Sequence, residues 1–206
     1  MKDMIKNIIF DWSGTLADDL ITTYKATMHI FEKLGGKSMP LEEYGKEFFL
    51  PYMSFFKKYF PNSTAEQIRE LFQEGIQTVG DAEPYPGVRD VLKRLYDRGI
   101  KMTIMSASTK ERIITDAKRY GIFDCFQEIN GDIFDKTEAI VDILQKNGFK
   151  PKETMCVGDM PHDIDAGKKA GAISVGISWS HKSKEMLKTS NPDHLISNIA
   201  ELEQLL

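Results

Sequence analysis

Four short apolar runs in the chain each stop abruptly at a polar residue, and helical patterns separate them. Asn7 to Phe10 ends at Asp11, with Gly14 soon after, and Met102-Thr103-Ile104-Met105 ends at Ser106. Thr154 to Val157 ends at Gly158-Asp159, and Ile173-Ser174-Val175-Gly176-Ile177 ends near Ser178. Runs of this kind, bounded by glycine or polar residues, predict buried strands. Between them Val88, Val91, Leu92, Leu95 and Tyr96 recur at helical spacing up to Gly99, and Ile140, Val141 and Leu144 do so up to Gly148. Residues 163–170, closed by Gly171, predict a further helix, and Ser108 with Glu111 predicts a capping box ahead of Ile113, Ile114 and Ala117. Strand–helix alternation of this kind predicts an α/β fold built on a doubly wound parallel sheet. Ligands of such sheets bind beyond the carboxyl ends of the strands. The residues that end the runs are therefore the candidates for chemistry.

From about residue 17 to residue 83 no strand is evident. Ile21, Tyr24, Met28 and Phe31 recur at helical spacing until Gly35-Gly36, and Ser63 with Glu66 predicts a cap ahead of Ile68, Leu71, Phe72, Ile76 and Val79. Pro84-Tyr85-Pro86-Gly87 marks the return to the sheet. The expected organisation is a main domain of residues 1–16 and 84–206 with an all-helical domain, 17–83, inserted after the first strand. The aromatics Phe48, Phe49, Tyr52, Phe55, Phe56, Tyr59 and Phe60 read either as the packed core of the insert or its interface, or as an apolar wall facing a substrate.

Composition narrows the function classes. The chain of 206 residues is long enough for a real core, and its 41% hydrophobic and 28% charged residues suit an ordinary globular protein. A formal net charge of −4, with lysines interleaved among acids, argues against a nucleic-acid partner. Ile8-Ile9-Phe10 is too short for a signal peptide or a membrane span, so a cytoplasmic location is expected and no membrane partner. Two cysteines, Cys125 and Cys156, are too few for a disulfide framework, and Cys156 reads as a buried, inert thiol. The sequence leaves oligomeric state open.

At the strand ends, Asp11 is followed by Gly14, which lets backbone approach a ligand, and by Thr15, which offers a hydroxyl and an N–H to an anion. Gly158-Asp159, followed by Asp163, stands at another strand end. Carboxylates converging there would repel one another without a cation, and oxygen donors suit Mg²⁺. Asp163 also reads as a cap of the helix that follows. Ser106 and Lys136 together would cradle a phosphoryl group; taken singly they read as a loop residue and a surface charge.

These residues, in this order, resemble the haloacid dehalogenase superfamily, in the phosphoglycolate phosphatase and β-phosphoglucomutase branch with a helical cap. Ile8-Ile9-Phe10-Asp11-Trp12-Ser13-Gly14-Thr15-Leu16 resembles the first motif and Ile104-Met105-Ser106-Ala107-Ser108 the second. Lys136 stands where the motif lysine is expected, and Val157-Gly158-Asp159-Met160-Pro161-His162-Asp163 opens the fourth. The resemblance implies a Rossmann-like core and a Mg²⁺-dependent hydrolase of a small phosphate monoester. Asp11 would attack phosphorus to give an aspartyl-phosphate, which water then hydrolyses. Asp11, the carbonyl of Ser13, Asp159 and Asp163 would hold Mg²⁺, and Thr15, Ser106, Ala107 and Lys136 would bind the phosphoryl oxygens. Substrate choice would fall largely to the cap.

One position departs from the pattern. Phosphatases of the family usually carry a second aspartate two residues after the nucleophile, which shuttles a proton. Here that residue is Ser13. The resemblance then admits a phosphatase that borrows its acid elsewhere, with His162 and His181 as candidates that otherwise read as surface or capping residues. It also admits a phosphonate hydrolase, since Asp11-Trp12-Ser13-Gly14-Thr15 is similar to the first motif of phosphonoacetaldehyde hydrolases, which use a cap lysine; Lys46, Lys57 and Lys58 lie in the insert. A weakly active phospho-ligand-binding or regulatory protein is the third reading.

Overall fold

The computed structural model describes residues 4–49, 51–133, 135–179 and 181–206. Two compact units emerge, Met1–Asp18 with Glu83–Leu206, and Asp19–Ala82. Along the chain, β1 (Asn7–Phe10) and β2 (Ala17–Asp18) are followed by α1 (Leu20–Lys33), α2 (Leu41–Glu47), α3 (Tyr52–Tyr59) and α4 (Ala65–Thr78). Then come β3 (Glu83–Pro84), α5 (Val88–Asp97), β4 (Lys101–Met105), α6 (Lys110–Tyr120) and β5 (Phe126–Asn130). The chain closes with α7 (Lys136–Asn147), β6 (Thr154–Gly158), α8 (Pro161–Lys169), β7 (Ile173–Ile177), α9 (His181–Lys188) and β8 (His194–Ile196).

The larger unit is the doubly wound parallel sheet that the alternation predicts, in the order β5-β4-β1-β6-β7-β8. Its central strand shows why the pattern works. Side chains alternate faces along a strand, so Ile8 and Phe10 join one apolar cluster with Val91, Leu92, Leu95 and Ile113, while Ile9 joins another with Ile140, Leu144 and Ala166. Both faces are covered, as a parallel sheet requires. Phe10 aligns with Ile104 of β4 and with Val157 of β6. That register brings Asp11, Ser106 and Gly158-Asp159 out at one edge of the sheet.

Several expectations are corrected. β5 and β8 were not anticipated, because β5 is an edge strand with mostly half-exposed positions and β8 has only three residues. β2 and β3 form a two-stranded antiparallel ribbon where no strand was expected, and they belong to the sheet unit. β7 is followed by helix α9. Both capping boxes shift by one residue: Thr109 caps α6 by accepting from Arg112 N, and Thr64 caps α4 by accepting from Gln67 N. Tyr96 and Val141 are exposed rather than inward, and Ile143 takes the inner place.

The helical unit has its own core. Ile21 is exposed, and α1 instead buries Thr22, Ala26, Thr27, Ile30 and Phe31. The aromatics of the insert build this core: Phe31 meets Phe55, Tyr59 and Phe60, and Phe48, Tyr52 and Phe56 pack against the same cluster. Phe49 remains exposed. Gly75 of α4 lies close against Ala26 of α1, since a Cβ there would lie 2.8 Å from Ala26 Cα. No helix among the described residues is long and apolar enough to cross a membrane.

Candidate active site

Asp11 leaves β1 with its N–H donating to Val157 O at 2.9 Å, so the end of the central strand stays tied to β6 as the side chain emerges. Gly14 turns the loop at φ +74, and a Cβ there would lie 2.4 Å from Asp159 Oδ2. No other residue fits that approach. Gly158 is equally constrained, because a Cβ would meet Asp163 Cγ at 2.3 Å. These two glycines let the carboxylates of three separate positions converge: oxygens of Asp11, Asp159 and Asp163 lie within 4.8 Å of one another.

Two loops bring in the cation and the hydroxyl. The loop after β5 is zipped onto the loop after β4, with Asp132 N donating to Ser108 O (2.9 Å) and Ile133 N to Ser106 O (3.0 Å). Asp135 then caps α7 by accepting from Thr137 N at 2.8 Å, which places Lys136 in the first turn. Its side chain is 3% exposed, with Nζ 2.5 Å from Asp163 Oδ1 and 3.0 Å from Asp11 Oδ1. The latter is an ion pair rather than a hydrogen bond, so buried Asp11 Oδ1 has no hydrogen-bond partner among the described residues. Asp163 Oδ2 accepts from Met160 N at 3.0 Å, which caps α8 as well.

Charge at this site is unbalanced. Burial pushes the Asp11 carboxyl up to about 7, Lys136 resists that rise, and Asp163 adds to it. Asp159 is raised well above the ordinary carboxylate range, first by loss of solvent and then by the charges of Asp11 and Asp163. For Lys136 burial disfavours the ammonium, yet Asp11 and Asp163 outweigh it and hold the group above the usual lysine range. Three carboxyl groups thus share one ammonium, and burial with mutual repulsion disfavours the ionised forms of Asp11 and Asp159. A divalent cation fits that donor set.

A pH dependence follows. The Asp11 carboxyl titrates near 3.8 ordinarily and near 7 in the fold. As pH rises across that window the unfolded chain gives up this proton while the folded chain keeps it, so metal-free stability falls. Urea midpoints in EDTA should therefore drop between pH 5 and pH 7.5, and less so in Asp11→Asn. A midpoint that rises equally in both proteins would contradict the assignment.

The family model described as haloacid dehalogenase-like hydrolase matches residues 8–177. The chain belongs to that family. A Clostridium perfringens protein, named provisionally as pyrophosphatase PpaX, is 30% identical over 209 residues, covering 98% of each chain. The phosphoglycolate phosphatase of Synechococcus elongatus is 26% identical over 203 residues, covering 96% of this chain and 95% of the relative. Among solved structures, a haloacid dehalogenase-like hydrolase from Streptococcus pneumoniae has the same fold, with a TM-score of 0.83 at 23% identity and 98% of each chain covered.

Within this haloacid dehalogenase-like hydrolase, Asp11, Asp159 and Asp163 come together with Lys136, and Ser106 follows β4 with Ala107 next to it in the loop. Thr15 is different. Its hydroxyl donates to Asp159 Oδ1 at 3.1 Å and its N–H to Trp12 O at 3.2 Å, so both groups expected to meet an anion are engaged within the protein. Thr15 positions Asp159 instead. Ser13 Oγ lies 3.0 Å from Ser108 Oγ. Ser108 was read as a helix cap, although its place two residues after Ser106 puts both hydroxyls on one loop.

Trp12 turns away from chemistry altogether. It is fully buried, stacked on Tyr120 at 5.5 Å, with Nε1 unpartnered among the described residues. His162 Nε2 is likewise buried without a partner. The side chain of His181 lies outside the described residues. Cys156 is buried, its thiol pushed up to about 12 by burial, which makes it the inert residue expected.

Proposed function

We propose that this hydrolase is a Mg²⁺-dependent phosphatase that passes the phosphoryl group of a small phosphorylated substrate first to Asp11 and then to water. The observation that carries this reading is the convergence of three carboxylates, buried Asp11 and Asp163 and half-buried Asp159, with the ammonium of Lys136 paired to the first two. Asp11, Asp159 and the backbone carbonyl of Ser13 would hold the cation. Both Asp163 oxygens already accept hydrogen bonds, from Lys136 and from Met160 N, so its share would pass through its remaining lone pairs or through water. Bound Mg²⁺ supplies positive charge to the phosphoryl oxygens and keeps the carboxylates ionised.

The chain's own residues do the rest. The carboxylate of Asp11, delivered by the end of β1, attacks phosphorus as the nucleophile. Lys136 fixes its orientation and offsets charge on the equatorial phosphoryl oxygens, the largest stabilising effect in such transfers. Ser106, buried at the end of β4, and the backbone at Ala107 contribute hydrogen-bond donors. The helical unit 19–82 would select the substrate. The names of the relatives, a pyrophosphatase and a phosphoglycolate phosphatase, agree with a small phosphorylated substrate.

The phosphonate reading gains no support. A lysine that forms a Schiff base must be readily deprotonated, whereas exposed Lys46 and Lys58 donate hydrogen bonds to the carboxylates of Glu42 and Glu47, which raises their pKa. Lys57 donates to Pro61 O at 2.8 Å. Trp12, the residue most suggestive of that chemistry, belongs to the core. Phosphate release from a panel of phosphate esters, anhydrides and phosphonates, with Mg²⁺ and with EDTA, tests the proposal. Mg²⁺-dependent release is expected from at least one phosphate; release from phosphonates alone, or equal release in EDTA, would overturn it.

A further inference from the structure

The loop after β5 contains Asp132, one of two residues other than glycine that adopt a left-handed backbone among the described residues, at φ 59. L-residues meet a steric cost there, and glycine, asparagine and aspartate bear it most readily. Glycine would be the cheaper choice, so the aspartate is explained by what its side chain does. Asp132 Oδ2 accepts from Lys110 N at 3.4 Å, the first N–H of α6, which has no acceptor within its own helix. Gly131, beside it, runs so close to α6 that a Cβ would lie 2.3 Å from Lys110 N and 2.8 Å from Ser108 O.

The consequence falls on Ser106. Its N–H donates to Asn130 O at 3.0 Å and its carbonyl accepts from Ile133 N at 3.0 Å, so residues 130–133 grip its backbone from both sides. Its hydroxyl is reached at one remove. Asp132 N donates to Ser108 O at 2.9 Å, and Ser108 N donates to Ser106 Oγ at 3.3 Å. That bond occupies a lone pair of Ser106 Oγ and leaves its O–H as a donor. Three residues after Ile133 comes Lys136, held at the start of α7 by the Asp135 cap. The short segment that grips Ser106 therefore leads straight to the ammonium.

On the phosphatase reading above, we propose that Asp132 is a positioning residue for phosphoryl transfer. Its carboxylate, bonded to the first N–H of α6, holds the loop after β5 against the loop after β4, and so aims the Ser106 hydroxyl at the phosphoryl group that Lys136 also serves. Asp132 touches no substrate; it acts through Ser108 and Ser106. The role needs an oxygen acceptor on a residue that tolerates the left-handed backbone, and it does not need a charge. Negative charge develops on the equatorial oxygens during transfer, so a misaimed donor costs more in the transition state than in the bound substrate. A displacement of about 1 Å is enough to cost about 10²-fold.

The test reads kcat and KM with Mg²⁺, well below the melting temperature, for pyrophosphate, 2-phosphoglycolate and p-nitrophenyl phosphate, and follows whichever the wild type hydrolyses fastest. Asp132→Gly keeps the backbone and removes the acceptor, so kcat should fall about tenfold or more with KM within threefold. Asp132→Asn keeps an oxygen on the same backbone and should stay within threefold of the wild type in both constants. In a Ser106→Ala background Asp132→Gly should cost kcat threefold or less, since the hydroxyl it aims is gone. A folded Asp132→Gly with kcat within threefold of the wild type would overturn the inference and leave the phosphatase reading standing. So would an equal loss with and without the Ser106 hydroxyl, or an asparagine variant as impaired as the glycine one, because each marks a merely structural role. If Asp132→Gly does not fold, Asp132→Ser, which draws the oxygen back by one bond, decides by the same criteria. If the wild type hydrolyses none of the three compounds, the phosphatase reading fails and this inference with it.

Discussion

Asp11→Asn is expected to remove turnover, by about 10⁴-fold or more, while leaving the fold intact. Loss of a covalent nucleophile typically costs that much, because the remaining groups cannot act without it. The amide is nearly isosteric with the carboxylate, so the packing at the end of β1 should survive. The change also relieves the crowding of three carboxylates around one ammonium. Melting in EDTA at pH 8 should then shift upward even as activity vanishes, which separates a chemical loss from unfolding. Fluoroberyllate with Mg²⁺ should protect the wild type against thermal unfolding and should not protect the variant. Retention of more than a tenth of wild-type phosphate release would rule out Asp11 as the nucleophile.

Lys136→Met carries the largest expected loss of stability. Lys136 is enclosed, 2% exposed, and its ammonium meets two buried carboxylates at 2.5 and 3.0 Å. Removing one partner of such an arrangement typically costs about 3–5 kcal/mol, because the remaining charges stay buried without compensation. For a chain of this length each kcal/mol moves the melting temperature by about 2–4 °C, so a drop of about 6–20 °C is expected in metal-free buffer. Mg²⁺ should recover part of it by binding the folded state. Activity should fall by about 10²–10³-fold even in saturating Mg²⁺, the scale of a lost donor to a developing charge. Lys136→Arg keeps the charge but enlarges it in an enclosed space, and should lie between the two. A melting temperature within 2 °C of the wild type would mean that the ion pairs contribute little.

The sheet was legible because its inner strands are nearly pure apolar runs cut off by polar residues, and burial on both faces demands that. Asp11, Ser106 and Asp159 were legible for the same reason: they are the first polar side chains after β1, β4 and β6. β5 escaped because an edge strand such as Phe126-Gln127-Glu128-Ile129-Asn130 buries only one of its positions fully. The caps of α4 and α6 were off by one, since Ser63-Thr64 and Ser108-Thr109 each offer two adequate hydroxyls and only the backbone turn chooses. What the sequence hid within the site is pairwise. That Thr15 would be spent on Asp159, or Ser13 joined to Ser108, depends on loops far apart in the chain meeting at fixed distances. Trp12 misled for a related reason: a residue next to a nucleophile reads as chemistry until its ring is found stacked in the core.

The two tryptophans of the chain are each laid flat on a tyrosine, Trp12 on Tyr120 at 5.5 Å and Trp179 on Tyr85 at 4.1 Å, and both indole N–H groups are buried. One of these rings is the covalent neighbour of the proposed nucleophile. The protein therefore carries an intrinsic fluorophore one residue along the chain from the group that would be phosphorylated, with its ring packed in the core. Trp179 serves as an internal reference, and Trp179→Phe would leave the reporter alone. A change in Trp12 emission on adding Mg²⁺ or fluoroberyllate would then report occupation of the site without a label and without waiting for product.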